Sequence, residues 1–309
     1  MFYAGATNKK ALGCIYRSPD GVVWELVHQE TIKDNKERGA YGFFGFARNQ
    51  TTLVAVGGGD NISKGGNVRM LSSKDGTTWD GPIWRFENGG ALTCVAFGKD
   101  RFVTHGGEGP WAYFSTSTDG KEWDDPDKHR IQKWQGWEKM VRKVAFGNDL
   151  FLGIGATRRV VTSPDGRTWK DYPDPERKRP AFISLAFGNG VFVAGGMHGL
   201  RATSKDGARW ENEVTGEIGE HLNEIVWTGK EFVALGIEAT YKSPDGVTWT
   251  KAASNVRPAR ACYGAGVYLC TNLRGTECYR SEDAIHWKAL PRLADGFFSG
   301  AFTYFLPTP

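Results

Sequence analysis

The sequence is short of several things, and each shortage removes a class of answer. It lacks a dominant charge: 39 Lys+Arg stand against 35 Asp+Glu, a formal net charge of +4 over 309 residues. Surfaces that bind nucleic acid concentrate a far larger basic excess, so no nucleic-acid partner is expected. It lacks long hydrophobic runs. No stretch approaches the ~20 apolar residues that cross a bilayer, so no membrane insertion is expected. The opening Met1-Phe2-Tyr3-Ala4-Gly5-Ala6 has no basic n-region and no long apolar h-region, so no signal peptide is visible. It lacks cysteine pairs at metal-binding spacing. The five cysteines form no CxxC and no Cys/His zinc pattern, which argues against a structural metal. No phosphate loop or nucleophile triad is recognisable, so no cofactor is expected.

Glycine and tryptophan are abundant. The chain has 41 glycines, roughly twice the average share of ~7%, and 12 tryptophans. Glycine mixed with aromatic and β-branched residues points to many short strands and tight turns.

One motif occurs seven times: Ser18-Pro-Asp-Gly-Val-Val-Trp24, Ser73-Lys-Asp-Gly-Thr-Thr-Trp79, Ser117-Thr-Asp-Gly-Lys-Glu-Trp123, Ser163-Pro-Asp-Gly-Arg-Thr-Trp169, Ser204-Lys-Asp-Gly-Ala-Arg-Trp210, Ser243-Pro-Asp-Gly-Val-Thr-Trp249 and Ser281-Glu-Asp-Ala-Ile-His-Trp287. The tryptophans follow one another at steps of 55, 44, 46, 41, 39 and 38 residues. The residue types explain themselves as a turn. Asp and Ser oxygens bond nearby backbone N–H groups, Gly supplies a positive φ, and Trp leaves the turn to bury a large apolar surface. Seven acidic turns are a structural device rather than one active site.

A second motif precedes each turn, as in Val95-Ala-Phe-Gly-Lys-Asp-Arg-Phe102, Val144-Ala-Phe-Gly-Asn-Asp-Leu-Phe151, Leu185-Ala-Phe-Gly-Asn-Gly-Val-Phe192 and Ile225-Val-Trp-Thr-Gly-Lys-Glu-Phe232. It reads as strand, tight Gly/Asn/Asp turn, strand. One unit is therefore strand A, turn, strand B, loop, strand C, acidic turn, strand D, which describes a propeller blade. The first unit lacks strand A, and Phe297–Thr303 resembles an orphan strand A. Pairing the two closes the ring and removes the open sheet edges. The expectation is an all-β, seven-bladed β-propeller of four-stranded antiparallel blades, one domain over 1–309, and a monomer.

The acidic turn resembles the Asp-box, or BNR repeat, of sialidases and many other propellers, and the resemblance runs along essentially the whole chain. It implies the propeller fold and, by the range of the family, activities from glycosidases and polysaccharide lyases to sortilin-like receptors and photosystem-assembly factors. The sialidase pattern of six blades with an N-terminal Arg-Ile-Pro motif is not present here. What the resemblance implies is a carbohydrate-active propeller. A glycan-cleaving enzyme is expected, either a polysaccharide lyase or a glycoside hydrolase, with a glycan or oligosaccharide as partner. A non-catalytic lectin and a protein-binding scaffold are the alternatives. Secretion or a periplasmic location fits that class.

In such a blade the B–C and D–A loops share one face, where variable loops carry function. Trp111, Trp134 and Trp137 fall in those loops and are candidates for stacking on sugar rings. Arg38, Arg158, Arg159 and Arg260 are candidates for holding an acidic sugar, because Arg binds carboxylate bidentately. His105, His198 and Tyr41 are the candidate proton-transfer groups, with Glu108 and Glu238 the best-placed carboxylates for a hydrolase. Glu220, His221, Arg201 and Arg257 belong to the same face. Cys270 and Cys278 flank the last B–C loop, either as a cross-strand disulfide or as buried thiols.

Overall fold

The computed structural model describes residues 1–31, 42–58, 66–86, 91–106, 113–124, 141–155, 158–173, 180–293, 295–298 and 300–305. Its strands form seven antiparallel sheets in an unbroken circle, which is the expected propeller. Six sheets have four strands. The third has three among the described residues: Leu92–Gly98, Arg101–Gly106 and Tyr113–Ser117. Strand A of each blade lies innermost, against strand A of the next blade. These are Gly42–Arg48 in blade II, Leu92–Gly98 in III, Val141–Gly147 in IV, Phe182–Gly188 in V, Leu222–Trp227 in VI and Pro258–Gly264 in VII. Strands D are the exposed rim, as in Glu211–Val214.

Ring closure takes the expected form. Phe302–Tyr304 pairs antiparallel with Phe2–Ala4, and Thr7 bridges Phe297. The seam is a packed core of Phe2, Cys14, Leu269, Phe298 and Phe302. This strand is strand A of blade I.

The local chemistry of the hairpins differs from the sequence expectation in one respect. The turn of the A–B hairpin is made by the two residues after the motif glycine: Lys99-Asp100, Asn148-Asp149, Asn189-Gly190 and Ala265-Gly266, all with positive φ. That is the mirror-image turn that suits twisted strands. The preceding Gly98, Gly147, Gly188 and Gly264 are not in the left-handed region. A Cβ on each would fall inside the ring of Phe146, Phe187, Trp227 or Tyr304 from the next blade. These glycines are there for close packing, not for turning.

The acidic turns behave alike in all seven blades. The Ser hydroxyl donates to the Asp carboxylate at 2.9–3.3 Å and accepts from the N–H of the Gly, or of Ala284 in blade VII, at 2.8–2.9 Å. The same carboxylate accepts two further backbone N–H groups. Six of the tryptophans donate their indole N–H to the carbonyl of that Gly or Ala284. Trp24 is the exception. It packs edge-on against Phe298 and Phe302 at the seam, and its N–H is buried without a partner among the described residues.

Cys270 and Cys278 are both free thiols. The register pairs Cys270 with Tyr279 and Cys278 with Thr271. The two cysteines are therefore one residue out of step and face opposite sides of the sheet. Cys278 joins the seam core while Cys270 packs with Leu235 and Trp287. The disulfide alternative is thereby corrected to the thiol alternative.

Candidate functional site

Several of the sequence-predicted residues fall outside the described residues: Arg38, Tyr41, Glu108, Trp111, Trp134 and Trp137. Of the others on the B–C/D–A face, most are engaged with each other. Arg158 sits in the left-handed region at φ 58° and clamps Glu213 through two N–H bonds of 2.7 Å. This ties the loop of blade IV to strand D of blade V, with the guanidinium 4.9 Å from the Phe182 ring. Arg159 makes a second bidentate pair with Asp171. Glu238 is exposed and accepts from Arg257 at 2.8 Å. Neither arginine of the Arg158-Arg159 pair is left over for an anion.

The two histidines are in unlike surroundings. His105 is 1% exposed in strand B of blade III, edge-on to Phe114 at 4.7 Å. Neither ring nitrogen has a hydrogen-bond partner among the described residues. Burial pushes its pKa down to about 3, against a small opposing effect of the Val141 backbone, so the ring is neutral at neutral pH. His198 also has positive φ, and its Nδ1 accepts from the Gly219 N–H at 3.3 Å. Its ring lies 5.8 Å from that of His221, whose own Nδ1 is buried without a partner among the described residues. The buried Glu220 closes this corner, accepting the Glu238 N–H at 3.3 Å.

A different group of charges meets in the central channel. In register, the position three residues before the terminal aromatic of strand A is Ala301, Gly45, Cys94, Lys143, Ser184, Glu224 and Arg260 around the seven blades. Three of these are charged. Lys143 Nζ reaches both oxygens of Glu224 at 2.9 Å, spanning from blade IV to blade VI. Among the described residues Arg260, in blade VII, has no hydrogen bond or ion pair. Its one ring contact is the Phe44 face at 5.7 Å. Burial pushes the Arg260 pKa down, with Glu224 opposing, yet a guanidinium stays charged at neutral pH.

Below this charged layer, toward the A–B turns, the strands end in a ring of aromatics: Phe97, Phe146, Phe187, Trp227, Tyr263 and Tyr304. Each is tilted against a strand-B aromatic at 4.5–4.8 Å. Blade II breaks the ring with Arg48. A cavity of about 280 Å³ runs between the two layers, lined by Lys143, Glu224, Trp227, Arg260, Tyr263 and Tyr304 among others. Arg260 was a candidate from sequence, but Lys143 and Glu224 were not. Aligning the seven blades on their A-strand aromatics would have exposed both, as charges at a position that is small or polar in four other blades. Among the described residues no three His, Cys, Asp or Glu side chains are grouped to hold a metal ion.

No known family model matches the sequence, and no curated protein matches it. Solved structures match its fold. The periplasmic gluconolactonase PpgL of Pseudomonas aeruginosa superposes with a TM-score of 0.61 at 11% identity, with all of both chains covered. A structure of YCF48 bound to D1 peptide gives 0.56 at 15% identity over 80% of each chain. Virginiamycin B lyase from Staphylococcus aureus gives 0.53 at 11% identity, over 81% of this chain and 84% of that one. At such identities the likeness is one of fold, a seven-bladed β-propeller.

Proposed function

We propose that this chain is a non-catalytic binding propeller whose ligand site lies in the central channel. The observation that carries the reading is a contrast in pairing. Of the described arginines on the B–C/D–A face, Arg158, Arg159 and Arg257 are held by carboxylates, and Arg201 is buried with its guanidinium over the Tyr241 and Trp249 rings at 4.6 and 5.7 Å. In the channel, Arg260 lines a cavity and makes no ion pair among the described residues; the Glu224 carboxylate on the same wall acts on it through space but is bonded to Lys143. His105, sealed and held neutral, is not placed to exchange protons with a substrate. A propeller of this fold has been solved bound to a peptide, while others bear the names of enzymes, so fold does not choose between binding and catalysis.

Glycan cleavage is the second reading, and one observation favours it. His198, His221 and Glu220 are gathered at one corner of the B–C/D–A face. Incubation with a panel of acidic and neutral polysaccharides, with product analysis, separates the two. The binding reading expects no product from any member. Product that is lost in His198→Ala would overturn it and establish the enzyme.

A further inference from the structure

The geometry points to a small organic monocarboxylate as the channel ligand, its carboxylate on Arg260 and its apolar body against Trp227, Tyr263 and Tyr304. This rests on the binding reading and gives it a ligand class. Four observations converge on it. The first is charge. Lys143 and Glu224 neutralise one another at 2.9 Å, which leaves Arg260 as the surplus cation of the layer, matched to one negative charge. The second is directional. The guanidinium lies over the Phe44 ring, 5.7 Å from its centroid, and a cation–ring contact uses none of the N–H donors that a carboxylate would take. The third is the unsatisfied state of those donors. The side chain is only partly buried and its N–H groups make no hydrogen bond among the described residues, so they are free to donate to an incoming anion. The fourth is the wall. Trp227, Tyr263 and Tyr304 are only partly buried and line the same cavity, and aromatic walls with a few convergent polar groups are the usual make-up of a small-molecule site. The volume, about 280 Å³, lies just under the ~300–1,000 Å³ of drug-sized sites, so the occupant is small.

The position is also informative. The aromatic layer lies at the A–B turn end of the channel, opposite to the loop face that sequence reasoning selected. It is built from strand ends locked by glycine contacts with the next blade, so the site is preorganised on the rigid part of the molecule.

Calorimetric titration with phenylacetate, phenylacetamide and inorganic phosphate tests the proposal on the full chain, in the wild type and in Arg260→Gln and Arg260→Lys. The expected result is saturable binding of phenylacetate and at least tenfold weaker binding of the neutral amide and of phosphate. Arg260→Gln should lose at least tenfold in phenylacetate affinity, and Arg260→Lys should lose less. Circular dichroism and the melting temperature of each variant establish that it is folded. If Arg260→Gln does not fold, titration of the wild type with the amide and phosphate still decides. Equal binding of acid and amide would overturn the role of Arg260. Binding of phosphate as tight as phenylacetate would overturn the organic body, and no phenylacetate binding would overturn the proposal. Failure here without polysaccharide turnover leaves the binding reading standing, whereas turnover removes that reading itself.

Discussion

The acidic turns and the channel layer are both built from one residue position repeated seven times, and they repeat in opposite ways. In the turns Ser, Asp and Trp recur in every blade, and so do the bonds between the Ser hydroxyl, the Asp carboxylate and the turn N–H groups. In the channel layer the backbone register is the same and the side chains are not: Ala301, Gly45 and Cys94 give way to Lys143, Ser184, Glu224 and Arg260. A role that every blade must fill, such as closing its outer hairpin, selects one residue at all seven positions. A role filled once, on the axis shared by all blades, selects residues that break the repeat. The difference separates what holds the ring from what meets a ligand.

The comparison is broken most severely at the seam. Phe302→Ala removes a ring that is 6% exposed, from the core joining the first and last blades. It is expected to cost about 3–5 kcal/mol, measured by urea unfolding. A loss well below 1 kcal/mol would mean that the seam does not hold the ring.

His105 is a buried side chain outside both repeats, and it makes stability depend on pH. Its folded pKa of about 3 lies below the unfolded value near 6.5. Protons therefore bind the unfolded chain first, and stability is full above about pH 6.5 and falls as pH drops toward 3. The expected loss is ~2 kcal/mol at pH 5. Thermal melts at pH 7 and pH 5 should show this loss in the wild type and a smaller one in His105→Phe. Equal pH sensitivity in the two would refute it.

The acidic turns come next. Asp165→Ala loses two backbone N–H bonds and the Ser163 bond, an expected ~1–2 kcal/mol. All seven turn carboxylates have lowered pKa values. In Asp20, Asp75, Asp206 and Asp245 a backbone N–H bond is the largest cause. In Asp119, Asp165 and Asp283 burial is the largest single influence and opposes the shift, and the bonds together outweigh it. Their contribution is present above pH ~4 and lost on further acidification, so an Asp165→Ala melting difference should shrink toward pH 2. Phenylacetate affinity in this variant should not change.

The smallest stability effect is expected in the channel. Arg260→Gln removes a cation with no ion pair, so unfolding should move by no more than about 0.5 kcal/mol while carboxylate binding falls. A large destabilisation would make Arg260 one more structural residue and erase the contrast.

Much of the fold was legible because each blade writes its own turn chemistry: Ser, Asp, Gly and Trp at fixed offsets leave one conformation for the backbone. The closing strand was legible from Phe297–Thr303, a strand A with no hairpin partner after it. Residue roles that depend on a neighbouring blade were not legible. Gly98 reads as a turn residue in its own hairpin, and only the Phe146 ring of the next blade shows otherwise. The same holds for Arg158 and Glu213, 55 residues apart, and for Lys143 and Glu224, 81 apart. Charges read along one chain look available; across blades they are paired. Arg260 was legible as a candidate for an acidic ligand, but its place on the channel axis came from the register of all seven strands.

The most direct measurement is a crystal structure of the protein soaked with phenylacetate. The account predicts density in the channel, with the carboxylate within hydrogen-bond distance of the Arg260 guanidinium and the ring against Trp227, Tyr263 and Tyr304. Phenylacetate bound instead at the His198–His221 corner, with the channel empty, would contradict it.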